Sequence, residues 1–143
     1  MFSKKANILL VEDGYGEIVL AKEAFNSVDI PLNLHIIKDG EEAIKFIKKE
    51  GEYENSPTPN LIILDISLPK ISGIEVLKYI RADFQFRFIP VVMLTTSTYV
   101  SDVEKSLNFG ANAYLVKPFD YDEFTKLIKS VCDVWLRFSN KSL

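Results

Sequence analysis

The sequence predicts an α/β protein in which five strands of one parallel sheet alternate with five helices. Three observations carry that expectation. Five short apolar runs, opening at Ile8, Leu32, Leu61, Pro90 and Ala113, are separated by stretches with helical apolar spacing. The run Leu61-Ile62-Ile63-Leu64 is apolar at every position, as a strand buried on both faces requires. Asp65 follows it directly, ahead of a loop marked by Pro69 and Gly73. A carboxylate is thereby delivered to the carboxyl end of a strand, the edge at which open α/β sheets bind ligands.

The totals bound what such a protein can be. A chain of 143 residues, 48% hydrophobic, suits one domain with a full core. It is expected to form a single domain over residues 1–143, with its core over about residues 6–138 and no output domain. With 17 basic and 20 acidic residues the net charge is −3, which argues against a surface built for nucleic acid or anionic lipid. The single cysteine, Cys132, excludes an intrachain disulfide framework and suits a reducing compartment, where it fills space on a helix. No apolar run approaches the ~20 residues of a membrane span. The start, Lys4-Lys5 and then Ala6 to Val11, is cut short by Glu12-Asp13 before it could serve as a signal peptide. A cytoplasmic protein without membrane contact is expected.

The elements follow in order. Ile8 to Val11 forms the first strand and ends in Glu12-Asp13-Gly14. A helix begins near Gly16 with Leu20, Ala21, Ala24, Phe25 and Val28 as its core stripe, and Ile18 and Val19 lie off that stripe. Pro31 ends the pattern and Leu32 to Ile37 is the second strand, carrying His35 away from the acidic edge. Asp39-Gly40-Glu41-Glu42 has the spacing of a capping box, ahead of a helix with Ala43, Ile44 and Ile47 inward and Gly51 as its C-cap. Residues 51–60 are a polar loop with two prolines. Ser72 caps a third helix with Ile74, Leu77 and Ile80 inward, and residues 83–88 form a loop. The fourth strand runs from Pro90 to Leu94 and ends in Thr95-Thr96-Ser97. A fourth helix, with Val100, Val103 and Leu107 inward, stops at Gly110. The fifth strand covers Ala113 to Val116 and is followed by Lys117-Pro118. Asp120 and Glu123 cap the last helix, whose core stripe is Phe124, Leu127, Ile128, Val131 and Trp135.

Alternation of this kind builds a doubly wound five-stranded parallel sheet with helices on both faces. Each strand precedes its helix, so Glu12, Asp13, Asp65, Thr95 and Lys117 all fall at strand carboxyl ends and should converge on one edge. Three carboxylates and one ammonium leave a local charge of −2 there, which repels itself unless a cation cancels it. Carboxylates with waters suit Mg²⁺.

These residues resemble the receiver domain of two-component response regulators. The acidic pair Glu12-Asp13 follows an apolar strand, and Asp65 heads the pattern Asp65-x-x-x-Pro69-x-x-x-Gly73. Thr95 lies 30 residues after Asp65, and Lys117-Pro118 lies 22 after Thr95. The likeness extends from Ile8 to about Trp135. Within the family it is nearest to single-domain regulators that serve phytochrome-type histidine kinases, through Val11-Glu12-Asp13, the long loop after the second helix, Leu94-Thr95-Thr96-Ser97 and the aromatic C-terminus. Gly14-Tyr15-Gly16-Glu17 departs from that subgroup, which usually has Asn-Pro-Gly/Ala-Asp.

The resemblance implies a flavodoxin-like sheet in the order 2-1-3-4-5 and a role for each site residue. Asp65 would be the phosphoacceptor, taking a phosphoryl group from the phosphohistidine of a sensor histidine kinase. Asp13, Asp65 and the backbone carbonyl of Ser67 would bind Mg²⁺, with Glu12 acting through water. Lys117 and the metal would neutralise charge on the phosphoryl oxygens. Thr95 would hydrogen-bond one of those oxygens, and Tyr114 would rotate into the space that Thr95 vacates. Thr96, by its bulk, would restrict access to Asp65. Pro69, Gly73 and Pro118 would be structural, with a cis Lys117–Pro118 bond aiming Lys117. Such a protein signals and is not an enzyme beyond its own phosphorylation and slow dephosphorylation. Ile18 and Val19 are the expected kinase contacts. Tyr121, Cys132, Val134, Leu136 and Phe138 exceed the last helix's core stripe, and either bury against a second copy or cap the sheet.

Other classes fit less well. Dehalogenase-type phosphatases use a strand-end Asp with a second acid two residues on, where Ser67 stands here. Gly14-Tyr15-Gly16 lacks the third glycine of a dinucleotide-binding turn. A receiver-shaped interaction module that works without phosphorylation is the alternative that the residues leave open.

Overall fold

Five strands, β1 (Ala6–Val11), β2 (Leu32–Ile37), β3 (Leu61–Leu64), β4 (Val91–Thr95) and β5 (Ala113–Val116), pair in parallel in the order β2-β1-β3-β4-β5. The structure, a computed structural model, describes residues 5–141, with side-chain surroundings described as far as residue 137. The helices are α1 (Tyr15–Asn26), α2 (Gly40–Lys48), α3 (Gly73–Ala82), α4 (Val100–Asn108) and α5 (Tyr121–Lys141), with a 3₁₀ turn over Gly51–Tyr53. Among the described residues no helix is long and apolar enough to cross a membrane.

Alternation along the central strands divides the core into two layers. Ile8, Leu10, Leu61, Ile63, Val92 and Leu94 meet α1 and α5 on one face. Leu9, Val11, Ile62, Leu64, Val91 and Met93 meet α2 and α3 on the other. The register sets Val11 beside Leu64, Leu64 beside Met93 and Thr95 beside Val116, which aligns the strands' carboxyl ends.

Side-chain caps start three helices. The carboxylates of Asp39 and Asp120 and the hydroxyl of Ser72 accept from the N–H groups of Glu42 (2.7 Å), Glu123 (3.0 Å) and Glu75 (3.3 Å). Gly73 lets the start of α3 lie against the end of β3, where a Cβ would stand 1.9 Å from the Asp65 carbonyl oxygen. Before it, Lys70 takes φ +70° in a γ-turn closed by the Ile71 N–H donating to the Pro69 carbonyl at 2.8 Å.

Several expectations are corrected. Ile18 is buried in α1 and Leu20 is 40% exposed. Consecutive apolar residues made the stripe ambiguous: α1 buries Ile18, Ala21, Ala24 and Phe25, and the last three join the layer against β1. Phe46 joins the buried face of α2, and Lys49 at φ 60°, not Gly51, ends that helix. In α4, Val100 and Leu107 face outward and Val103 is half-buried, because the closest approach to the protein is made by the small, fully buried Ser106. Cys132 and Leu136 are sealed in the α1–α5 layer, so of the expected apolar excess Tyr121 and Val134 remain at the surface. Phe138 lies outside the residues whose side chains are described. The Lys117–Pro118 bond is trans, since none of the described peptide bonds is cis.

A tie absent from the sequence reading comes from Arg81 near the end of α3. Its guanidinium donates to the carbonyls of Gly110 (2.9 Å), Arg87 (3.0 Å) and Ile89 (2.7 Å) and to the side-chain oxygen of Asn112 (2.8 Å). That same oxygen accepts from the Val91 N–H at 2.8 Å. One side chain thereby joins α3, the loop into β4 and the loop into β5.

Candidate functional site

Backbone bonds between neighbouring strands place the acidic groups. The Asp65 N–H donates to the Val11 carbonyl at 3.1 Å and the Glu12 N–H to the Ile37 carbonyl at 3.0 Å. Glu12 and Asp65 therefore leave adjacent strands at one level. The Lys117 N–H donates to the Thr95 carbonyl at 2.8 Å, which carries the Lys117 side chain over the same edge.

The Lys117 ammonium is the hub. It donates to Glu12 at 2.5 Å, to Asp65 Oδ2 at 2.9 Å and to Glu17. Its side chain is 9% exposed, against 5% for Glu12, 10% for Asp65 and 47% for Glu17. Glu12 also accepts from the Gly14 N–H at 3.0 Å, and Asp65 Oδ1 from the Ser67 N–H at 3.4 Å. Carboxylate oxygens of Glu12, Glu17 and Asp65 lie within 4.8 Å of one another. Asp13 stands outside this trio and is exposed. Sequence reasoning missed Glu17. Its signal was a place in the first turn of a helix that begins at the carboxyl edge.

Burial pushes the Glu12 carboxyl up to about 7, against the opposing pull of Lys117 and the Gly14 N–H. Burial alone would lower Lys117, but its hydrogen bonds to Glu12, Glu17 and Asp65 outweigh this and hold it above the usual lysine range. Between the unfolded value of 4.5 and the folded value of about 7, the folded protein binds more protons at Glu12 than the unfolded chain. Stability from this group therefore falls as pH rises through that window, by about 2 kcal/mol without added metal. Urea midpoints of wild type and Glu12→Gln, taken at pH 5 and pH 7.5, should converge at the acid end and separate toward neutral pH in favour of the variant. Parallel pH profiles would contradict it.

The next loop joins Thr95 and Tyr114. Thr95 is buried, and its hydroxyl accepts from the Ser97 N–H at 3.3 Å. The half-buried Tyr114 donates its hydroxyl hydrogen to the Ser97 carbonyl at 2.9 Å. The Ser97 hydroxyl donates to Asp102 of α4 at 2.6 Å. Thr96 points to solvent. His35 lies away from this edge, with Nε2 at 3.2 Å from the Asn7 side-chain oxygen and its ring tilted on Phe46. Beside Lys117, a cavity of about 60 Å³ opens between α1 and α5, with Leu20, Phe119 and Phe124 among its walls.

Known proteins share this fold. Residues 8–129 match the response regulator receiver domain. Response regulator Rcp1 of Synechocystis sp. is 42% identical over 129 residues, which cover 90% of this chain and 88% of Rcp1. The solved structure of the phosphorylated cyanobacterial phytochrome response regulator RcpA superposes with a TM-score of 0.89 at 36% identity, covering 93% of this chain and 95% of that one. The Mn²⁺-bound form of Rcp1 gives 0.86 at 41% identity, with 92% and 94% covered. The chain belongs to the response regulator receiver family of two-component signalling.

Proposed function

We propose that this chain accepts a phosphoryl group on Asp65 from the phosphohistidine of a sensor histidine kinase, with Mg²⁺, and that the β4–α4 loop and β5 report the event. The observation that carries the reading is the Asp65 carboxylate, nearly buried at the sheet's carboxyl edge and 2.9 Å from the Lys117 ammonium. An Asp65 oxygen would attack phosphorus in line with the P–N bond. As the O–P bond forms, the P–N bond breaks and the imidazole leaves with the electron pair. Lys117 then donates to a phosphoryl oxygen, and Thr95 turns its hydroxyl hydrogen to another.

The donor set suits a hard divalent cation: three carboxylates share one edge with a single ammonium, Lys117, among them. Asp65, the Ser67 carbonyl and Asp13 would hold Mg²⁺, with Glu12 through water. Bound there, the ion supplies positive charge to the phosphoryl oxygens. A relative solved with Mn²⁺ and another solved phosphorylated support both halves of the reading.

Tyr114 sits inward, with its hydroxyl donating to the Ser97 carbonyl. Phosphorylation would hold this arrangement by fixing Thr95 and the Ser97 loop. Of the expected kinase contacts Ile18 is buried, so the contacts are assigned to the exposed Val19, Leu20 and Phe119, of which Leu20 and Phe119 line the cavity beside Lys117. Phytochrome-type kinases are the proposed class, from the likeness to RcpA.

The test is intact-protein mass after incubation with acetyl phosphate, with Mg²⁺ or with EDTA. One phosphoryl group should be gained with Mg²⁺ and none in Asp65→Asn. If a phosphorylated kinase also fails to deliver it, the chain is an interaction module and Asp65 a structural carboxylate. Val19→Glu with Leu20→Glu should slow transfer from the kinase about tenfold or more and leave acetyl phosphate rates unchanged. Equal losses by both routes would remove the docking assignment.

A further inference from the structure

We propose that Glu17 is a positioning residue that restrains Lys117 in the resting protein and thereby slows phosphoryl capture. The inference rests on the reading of Asp65 as phosphoacceptor. An ammonium has three N–H donors, and in Lys117 all three are spent on carboxylates: Glu12, Glu17 and Asp65. Capture requires one of them for a phosphoryl oxygen, so one carboxylate must let go.

The three are not equally held. The Glu12 side chain is 5% exposed and also binds the Gly14 N–H. Asp65 is the acceptor itself. Glu17 is 47% exposed and accepts only from Lys117 among the described side-chain bonds, so water replaces the lost bond most readily there. Until it leaves, Glu17 also adds negative charge where an anionic donor must arrive. Glu12, Glu17, Asp65 and Lys117 sum formally to −2, and to −1 with glutamine at position 17.

The turn before α1 is shaped for this contact. A Cβ on Gly14 would stand 2.8 Å from a Glu17 carboxylate oxygen, so the bare backbone at Gly14 leaves room for Glu17 to fold back toward Lys117. Gly14 has φ −76°, which alanine adopts without strain. Gly14→Ala therefore displaces the carboxylate while keeping its charge.

Rates of phosphorylation by acetyl phosphate with Mg²⁺ test the inference in wild type, Glu17→Gln and Gly14→Ala. Glu17→Gln should be about fivefold faster, the scale of a half-exposed ion pair. Gly14→Ala should move the same way by less. The gap between wild type and Glu17→Gln should close in about 1 M salt, where such a pair is screened; a packing role would not respond to salt. Glu17→Gln at or below the wild-type rate overturns the restraint. A slower variant with a raised Mg²⁺ requirement would make Glu17 a servant of the cation instead. If wild type and Asp65→Asn both stay unmodified with every donor, it is the phosphoacceptor reading that fails.

Discussion

Gly73→Ala is expected to cost the fold about 3 kcal/mol or more and to move Asp65 with it. The new methyl would stand 1.9 Å from the Asp65 carbonyl oxygen and 2.9 Å from the Ile66 Cα. Both are backbone atoms and neither can swing aside. Asp65 is tied to Val11 by its N–H at 3.1 Å, and the Gly73 N–H to the Ile66 carbonyl at 2.8 Å. Relief requires α3 to lift, which loosens Leu77 and Ile80 from the sheet, or the end of β3 to shift. Urea unfolding should show the loss as a lower midpoint at an unchanged slope. Phosphoryl uptake by the folded fraction should fall as well. A variant as stable as wild type would mean that α3 does not approach β3 this closely.

Arg81→Met is expected to lower stability by about 3 kcal/mol, or roughly 10 °C in thermal midpoint. It keeps much of the stem and removes every donor. The carbonyls of Gly110, Arg87 and Ile89 and the Asn112 side chain then lose a charged partner together. Asn112 matters most, because its oxygen is also the acceptor for Val91 at the start of β4. Arg81→Lys should recover little, since a single ammonium cannot span acceptors on two loops as a planar fork does. The network lies at the opposite end of β4 from Thr95, so acetyl phosphate should still modify the folded variant. A midpoint within a degree or two of wild type would show that water replaces the guanidinium at little cost.

The sheet was readable because its strands are short, mainly apolar runs ended by turn residues, with the three central ones buried on both faces. Leu32 to Ile37, Leu61 to Leu64 and Ala113 to Val116 are bounded in the structure as expected. Helix starts were readable where one short polar side chain does the capping, at Asp39, Ser72 and Asp120. Helix faces were harder. Ile18, Val19 and Leu20 are consecutive apolar residues, and spacing alone does not say that Ile18 is the buried one. In α4 the apolar spacing at 100, 103 and 107 pointed the wrong way, because closest packing there selects a small residue, Ser106.

The site divides in the same manner. Glu12, Asp65, Thr95 and Lys117 sit at strand ends, so the topology alone brings them together. Glu17 arrives through the path of the turn at Gly14, and spacing does not encode that path. Asp13 was expected among the clustered acids and is exposed beside them. Arg81 was invisible because three of its four partners are backbone carbonyls, which any residue supplies.

The sealing of Cys132 has a practical side. It is the chain's single cysteine, fully buried, with its thiol pushed up to about 12 by burial and then by Asp133. Hardly any of it is the reactive thiolate at neutral pH. A cysteine introduced at an exposed position such as Leu107 or Tyr121 would thus be the target of a maleimide dye on an otherwise native background, with no core residue sacrificed. Modification at position 132 itself would then time how often the α1–α5 layer opens.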